Sequence, residues 1–241
     1  MSKKQLIVAL DVENFQQAKD LIDQLDKTVS IFKIGSQLFT AYGPFITRYL
    51  QAKGKKVFLD LKFHDIPNTV ASAVKSVVSL SVPPNNEKNF APIFMLTVHT
   101  SGGKDMLEAA VKAAKEQSKK LKVKKPLIVG VTVLTSQVKD DKLEALVLER
   151  ALAAKRAGLD GVVASVEEAP LIRRYSPKNF IIVTPGIRPV GTSIDDQKRV
   201  ATPKIAIENG SDYLVVGRPI LQAENPAKAA KGILKEISLV V

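Results

Sequence analysis

The chain has 241 residues, of which 45% are hydrophobic and 25% charged, an ordinary balance for a globular protein. It has no cysteine and only two histidines, His64 and His99, so disulfides and thiolate metal sites are excluded and a multi-histidine metal site is not expected. Lys and Arg exceed Asp and Glu by 36 to 24, a formal net charge of +12 that suits nucleic acid, an anionic membrane surface or a small anionic ligand.

Eight short runs rich in β-branched and other apolar residues predict eight strands. They cover residues 5–10, 30–34, 56–61, 93–98, 127–133, 161–164, 180–184 and 213–216. Several are apolar at nearly every position, such as 57–59 and 127–129, which is expected of strands buried on both faces.

Amphipathic stretches between these runs predict helices at residues 14–25, 106–114, 142–157 and 205–209. Gly54, Gly158 and Gly210 each stand where a helix should end before the next strand. Eight alternating β and α units predict an α/β fold, a single (β/α)8 TIM barrel of eight parallel strands over residues 1–241. A doubly wound open sheet is the alternative, but no Gly-x-Gly-x-x-Gly follows the first strand.

Three segments depart from the regular alternation. Residues 81–92 form a polar insertion that we expect at the N-terminal face of the barrel, away from the chemistry. Residues 185–203 form a long loop after the seventh strand, in the place where barrels often carry lids. Residues 115–125 hold the densest lysine cluster, without aromatic residues among them, which favours a solvated face over a nucleic-acid site.

Membrane attachment and secretion are not expected. The apolar run at residues 6–10 is too short for a signal-peptide core, and no apolar stretch approaches the roughly 18 residues of a membrane span. We therefore expect a cytoplasmic protein without a membrane or nucleic-acid partner.

Polar residues at the carboxyl ends of the strands mark the expected active site, because barrel enzymes place their chemistry there. They are Asp11, Lys33, Asp60, Lys62, Asp65, His99, Thr135, Ser136, Arg188, Gln197, Gly217 and Arg218. Asp60 and Lys62 are two residues apart, so we expect both on the same side of the third strand. Charges inside a barrel must be paired, and two interpretations stay open: a structural salt bridge, or a pocket that manages substrate charge together with Lys33.

The third-strand segment carries a resemblance to a known family. Residues 60–69 read Asp-x-Lys-x-x-Asp-Ile-Pro-Asn-Thr, which resembles the signature of the orotidine 5′-monophosphate (OMP) decarboxylase family. The shorter Asp-x-Lys-x-x-Asp is shared with a suprafamily that includes 3-keto-gulonate-phosphate decarboxylase and hexulose-phosphate synthase. Further similar motifs follow in order: Ala-Leu-Asp at 9–11, Phe-Lys-Ile-Gly at 32–35, Val-His at 98–99, Gly-Gly at 102–103, Leu-Thr-Ser at 134–136, Thr-Pro-Gly-Ile-Arg at 184–188, Asp-Asp-Gln-Lys-Arg at 195–199 and Val-Val-Gly-Arg-Pro-Ile at 215–220.

The resemblance implies decarboxylation of OMP to UMP and CO2, the last step of UMP synthesis, without metal or cofactor. In the implied site Lys62 stabilises a carbanion at C6 and protonates it, while Asp60 stands beside the substrate carboxylate. Lys33 and Asp65 complete an alternating array of lysines and aspartates. The resemblance also implies a homodimer, in which Asp65 and Thr69 serve the active site of the opposite subunit.

The remaining implied residues bind substrate. Asp11 and Lys33 hydrogen-bond the ribose, Thr135 and Ser136 meet the pyrimidine, and Pro185 belongs to the same set. Gly217 and Arg218 hold the phosphate, Arg188 joins them from the loop, and Gln197 bridges phosphate and pyrimidine. Taken singly, these residues have ordinary alternatives: a helix N-terminal acid for Asp11, helix capping for Thr135 and Ser136, and solvated loop positions for Arg188 and Gln197.

Two other functions remain open at this stage. A keto-sugar-phosphate decarboxylase or aldolase of the same suprafamily would use Mg²⁺ with acidic ligands and would depend on the metal. A basic, non-enzymatic nucleic-acid binder would share the net charge but would not need Asp60 and Lys62 at a buried strand end.

Overall fold

Eight parallel strands form a closed barrel in the computed structural model, which describes residues 5–84, 87–134, 141–189 and 201–240. The strands are β1 Leu6–Ala9, β2 Ile31–Gly35, β3 Lys56–Phe63, β4 Ile93–His99, β5 Leu127–Val131, β6 Gly161–Val163, β7 Ile181–Thr184 and β8 Tyr213–Val216. Each strand pairs with its neighbours in sequence, and β8 closes the barrel on β1. The predicted (β/α)8 barrel is confirmed, and the chain does not form the open sheet.

Helices connect the strands. They are α1 Phe15–Leu25, α2 Ser36–Tyr42, α3 Pro44–Ala52, α4 Pro67–Ser79, α5 Gly103–Leu121, α6 Asp141–Arg156, α7 Ala169–Arg174, α8 Pro203–Glu208, α9 Arg218–Leu221 and α10 Pro226–Ser238. The four predicted helices are present as α1, α5, α6 and α8. Helix α1 starts where expected because the side chain of Asn14 accepts a hydrogen bond from the Gln17 N–H at 3.0 Å. Gly158 and Gly210 take positive φ angles of 83° and 97°, which ends the preceding helices.

The core has two layers. The inner layer fills the barrel with Ile7, Ala9, Ile31, Phe58, Met95, Val129, Val183 and Val215. A larger layer packs the outer faces of the strands against the helices. At the N-terminal end, the rings of Phe94 and Tyr213 meet edge to face with centroids 5.7 Å apart. The charged strand ends lie at the opposite, C-terminal end, where barrel enzymes place their sites.

Strand β3 is irregular where it carries the charged motif. Its pairing with β4 passes from Leu59 opposite Leu96 directly to Phe63 opposite Val98, and Lys62 has a φ of 51°. The regular alternation assumed for this segment therefore does not hold across the bulge. The two side chains nevertheless lie on the same side, as predicted, since the Nζ of Lys62 is 2.9 Å from the Asp60 carboxylate.

The insertion at residues 81–92 leads into the N-terminal end of β4, as predicted, apart from residues 85–86, which the structure does not describe. The buried amide of Gln51 donates hydrogen bonds to the carbonyls of Leu80 at 3.0 Å and Ala91 at 2.9 Å. The Ser81 hydroxyl accepts from the N–H of Ile93. Both ends of the insertion are thus attached to the face opposite the charged motif. Among the described residues, no helix has the length and hydropathy required to cross a membrane.

We expect the Asp212→Ala substitution to lower the free energy of unfolding by about 2 kcal/mol. Asp212 precedes β8, and its carboxylate accepts from the N–H of Ile182 on β7 at 2.7 Å and from the Arg173 guanidinium at 2.6 Å. Removing it leaves a strand amide and an arginine without this partner. Urea unfolding followed by circular dichroism measures the loss.

Asp23→Ala is the matched control for that measurement. Asp23 also has two basic partners, Lys19 at 2.9 Å and Lys53 at 2.8 Å, but all three lie on the surface and bind no strand amide. Surface ion pairs contribute about 0 to 1 kcal/mol. Equal losses for the two variants would show that the contact with the Ile182 amide does not stabilise the barrel.

Candidate active site

A cavity of about 470 Å³ opens at the C-terminal end of the barrel. Ordinary small-molecule sites have volumes of about 300–1,000 Å³. Its charged lining consists of Asp11, Lys33, Asp60, Lys62, Arg188 and Arg218. Its apolar lining includes Ala9, Phe58, Val131, Val163 and Val215. Such a mixture allows strong electrostatic interactions, because apolar walls lower the local dielectric constant around the charges.

Four of the charged residues form a continuous chain of opposite charges. The Nζ of Lys33 lies 3.0 Å from Oδ1 of Asp11 and 3.7 Å from Oδ2 of Asp60. The Nζ of Lys62 lies 2.9 Å from the same Asp60 oxygen. The Lys33 and Asp60 side chains are only 10% and 13% exposed, whereas Lys62 is 38% exposed. Lys62 is therefore the member of the array that faces the cavity.

The end of β2 leaves space for this chain of charges. A Cβ at Gly35 would stand 3.1 Å from Nζ of Lys33 and 3.3 Å from Oδ1 of Asp11. Both distances are tighter than ordinary carbon contacts, so a side chain at this position would press on the ion pair. The glycine two residues after Lys33 thus permits the lysine and Asp11 to meet.

Thr97 on β4 was missed by the sequence reasoning. Its hydroxyl lies 3.1 Å from Oδ1 of Asp60 and 2.8 Å from the backbone nitrogen of Lys62. A threonine inside a predicted strand is an ordinary β-former, and its contacts could not be predicted because they depend on the bulge in β3.

A second positive region lies across the cavity, where β7 and β8 end. Arg188 follows β7 and is only 8% exposed, and Arg218 is the first residue of α9. The N–H of Arg188 donates to the carbonyl of Ala201 at 2.9 Å, which joins the two described ends of the long loop. Burial against the cavity contradicts the alternative that Arg188 is a solvated loop residue. Pro185 and Gly217 line the cavity beside the two arginines.

Asp65 and Thr69 are not brought into the cavity of their own chain. Both are exposed, in the turn before α4 and in its first turn. Asp65 accepts a hydrogen bond from the N–H of Ile66, which is itself 67% exposed. Thr135, Ser136 and Gln197 lie outside the described residues.

The two histidines stack at the rim, with ring centroids 5.4 Å apart and an interplanar angle of 25°. Burial lowers the pKa of His99 below the ordinary imidazole value, and electrostatic interactions with His64 and Arg150 lower it further. His99 is therefore neutral at pH 7 and adds no charge beside Lys62. Its Nδ1 lies 2.6 Å from the Ser101 hydroxyl.

Comparisons with known proteins agree along the whole barrel. A family model described as orotidine 5′-phosphate decarboxylase / HUMPS family matches residues 4–233. The orotidine 5′-phosphate decarboxylase of Carboxydothermus hydrogenoformans is 47% identical over 246 residues, which cover 99% of this chain and 98% of the relative. That of Moorella thermoacetica is 44% identical and covers 99% of this chain and 94% of the relative. The crystal structure of the orotidine 5′-phosphate decarboxylase from Lactobacillus acidophilus matches with a TM-score of 0.81 and 36% identity, covering 97% of this chain and 99% of that one.

Proposed function

The chain belongs to the orotidine 5′-phosphate decarboxylase / HUMPS family, and we propose that it is a carboxy-lyase that converts OMP to UMP and CO2 in the barrel cavity. The observation that carries the proposal is the chain of charges Asp11–Lys33–Asp60–Lys62, which ends in an ammonium facing the cavity. Loss of CO2 from C6 leaves an electron pair on that carbon. A fixed cation in an apolar cavity is what such a carbanion requires.

Lys62 has two tasks in the proposed reaction. As the bond between C6 and the carboxylate breaks, its ammonium stabilises the charge that develops on C6. It then transfers a proton from Nζ to C6, which completes UMP. Asp60 holds Lys62 at 2.9 Å and would stand beside the carboxylate that leaves as CO2.

The rest of the cavity is proposed to hold the nucleotide. Arg188 and Arg218 would bind the phosphate dianion through charge-assisted hydrogen bonds, with Gly217 and Pro185 beside them. Asp11 and Lys33 would bind the ribose hydroxyls between the phosphate and the ring. We keep Thr135, Ser136 and Gln197 as proposed contacts with the pyrimidine and phosphate on the basis of the sequence.

A homodimer is part of the proposal. Asp65, Ile66 and Thr69 are exposed in the single chain, which supports their assignment to a neighbouring subunit rather than to their own cavity. Asp65 of each chain would then complete the charge array of the other. A cytoplasmic location is also proposed, since a composition without cysteine fits a reducing compartment.

The competing function is a Mg²⁺-dependent reaction of a keto-sugar phosphate. It is less well supported, because the two carboxylates that could hold a metal, Asp11 and Asp60, are both paired with lysines. The relatives with 43–47% identity are also named orotidine 5′-phosphate decarboxylases.

The test follows the loss of absorbance when purified protein is mixed with OMP, with and without EDTA. Rapid conversion to UMP that EDTA does not change supports the proposal. A folded protein that leaves OMP unchanged but acts on keto-sugar phosphates with Mg²⁺ would replace it by the competing function.

Arg218→Ala is expected to lower kcat/KM for OMP roughly 100-fold, because a charge-assisted contact with the phosphate contributes about 3 kcal/mol. Steady-state kinetics with OMP and with orotidine, which lacks the phosphate, separate this role from a general defect. The rate with orotidine should not change. Arg174→Ala, an exposed arginine on α7, is the control and should match the wild type. Equal losses with both substrates would show that Arg218 does not bind the phosphate.

A further inference from the structure

The break in β3 leaves three residues of that strand opposite one residue of β4. After an earlier one-residue shift at Val57 and Phe58, pairing reaches Leu59 and Leu96 and resumes at Phe63 and Val98, so residues 60–62 face Thr97 alone. The backbone groups of this stretch cannot all be paired by the ladder, and buried groups of this kind need other partners. The two charged residues of the proposed reaction, Asp60 and Lys62, are the first and last of the three.

The side chain of Thr97 supplies the missing partners. Its hydroxyl accepts a hydrogen bond from the backbone N–H of Lys62 at 2.8 Å and donates one to Oδ1 of Asp60 at 3.1 Å. Thr97 is fully buried and points to the same side of β4 as Met95, a member of the inner barrel core. One hydroxyl beneath the cavity therefore holds both the side chain of Asp60 and the backbone of Lys62.

The two contacts determine how the Asp60 carboxylate is shared. Because Thr97 occupies Oδ1, Oδ2 is the oxygen that meets Lys62 at 2.9 Å and Lys33 at 3.7 Å. Lys62 also has a φ of 51°, in a region that residues other than glycine rarely adopt. The bond from its N–H to Thr97 is a local interaction that favours this backbone conformation and so aims the side chain.

We propose that Thr97 is a positioning residue for the decarboxylation, which orients the Asp60 carboxylate and holds the Lys62 backbone in its turned conformation. The inference rests on the proposed function, since it assigns Thr97 to the chemistry of that same site. Thr97 is fully buried and does not line the cavity. It acts through Lys62 and Asp60, so it should affect the chemical step more than substrate binding.

A side chain with a donor and an acceptor on one atom can make both contacts. The hydroxyl of threonine or serine does so, whereas valine has the same shape and neither capacity. Thr97→Val therefore removes both hydrogen bonds with little change in volume, and Thr97→Ser restores them.

The experiment compares Thr97→Val, Thr97→Ser and Thr97→Ala with the wild type in OMP turnover and in UMP binding by calorimetry. We expect Thr97→Val and Thr97→Ala to lower kcat roughly 10- to 100-fold, as a displaced catalytic group does, with KM and the Kd for UMP little changed. Thr97→Ser should stay close to the wild type. Thr97→Ala provides the same test if the valine variant does not fold.

Thr132→Val is the matched control. Thr132 is also a fully buried threonine beside a barrel strand, but its hydroxyl donates to the carbonyl of Val163 at 2.9 Å and does not touch the charge array. Thr132→Val should lower thermal stability without lowering kcat.

A double-variant test addresses the coupling. Thr97→Val should lower activity much less in an Asp60→Asn background than in the wild type, because the two residues act as one unit.

A Thr97→Val or Thr97→Ala enzyme that keeps the wild-type kcat would overturn the role of Thr97. Equal losses of kcat for Thr97→Val and Thr132→Val, or additive losses with Asp60→Asn, would also overturn it, since a packing defect would then account for the effect. A wild type that binds UMP but does not turn over OMP would instead overturn the proposed function.

Discussion

Lys62→Ala is expected to lower kcat for OMP by a factor of about 10⁴ or more, because it removes an electrostatic stabiliser and a proton donor together. Each of these contributions alone is commonly about 10²-fold or greater. The fold should survive, since Asp60 keeps its contacts with Lys33 and Thr97. Stopped-flow or steady-state absorbance with OMP measures the loss.

Lys56→Ala is the control for this substitution, because Lys56 begins the same strand at the opposite end of the barrel. Its Nζ lies 5.2 Å from the centroid of the Phe94 ring, far from the cavity lining. We expect wild-type turnover from this variant. A Lys62→Ala enzyme within tenfold of the wild type would show that another group protonates C6.

The strands could be predicted because each is a compact run of apolar residues that is buried on both faces. Only the ends of the predicted strands differ from the observed ones. The fifth strand was predicted to residue 133 but ends at Val131, because its pairing with the short β6 stops at Val163. Helix α4 was among the helices that were not predicted, and it is rich in valine, a residue common in strands. Its buried residues Val70, Val74, Val77 and Val78 nevertheless follow helical spacing.

The charged residues of the site could be proposed from the sequence because they stand at the ends of barrel strands, and the carboxyl ends of parallel strands lie together. The geometry of these residues could not be predicted. The positive φ of Lys62 and the skipped register beside Leu59 have no signature in the alternation of residues. Thr97 was missed for the same reason, because the register at a bulge decides which residues of the two strands face each other.

The arrangement of charges suggests that the proposed site needs a further carboxylate, which the described residues of one chain alone do not place in the cavity. Asp11, Lys33, Asp60 and Lys62 balance as two aspartates and two lysines, yet Lys62 remains partly exposed at the open end of the array. An anionic substrate needs positively charged groups at two places, beside its phosphate and beside C6. A further carboxylate beside Lys62 would pair with its ammonium and orient it, which is the part we propose for Asp65 of the other subunit.

Mixing two inactive variants is the second test with a large expected effect. If Asp65 acts across the interface, Lys62→Ala and Asp65→Ala dimers that exchange subunits form hybrids. In each hybrid one site has lost both residues and the other has both intact. Random exchange should therefore restore about a quarter of the wild-type activity, from half of the dimers with one working site each.

The mixture of Lys62→Ala with Asp60→Asn distinguishes this result from nonspecific rescue. Both substitutions fall in the same cavity of their own chain, so every site in those hybrids stays defective and no activity should return. Size-exclusion chromatography and mass spectrometry of tagged subunits confirm that exchange has occurred. If exchanged Lys62→Ala/Asp65→Ala dimers stay inactive, Asp65 acts within its own chain, and the exposed turn before α4 would have to fold over the cavity of the chain that carries it.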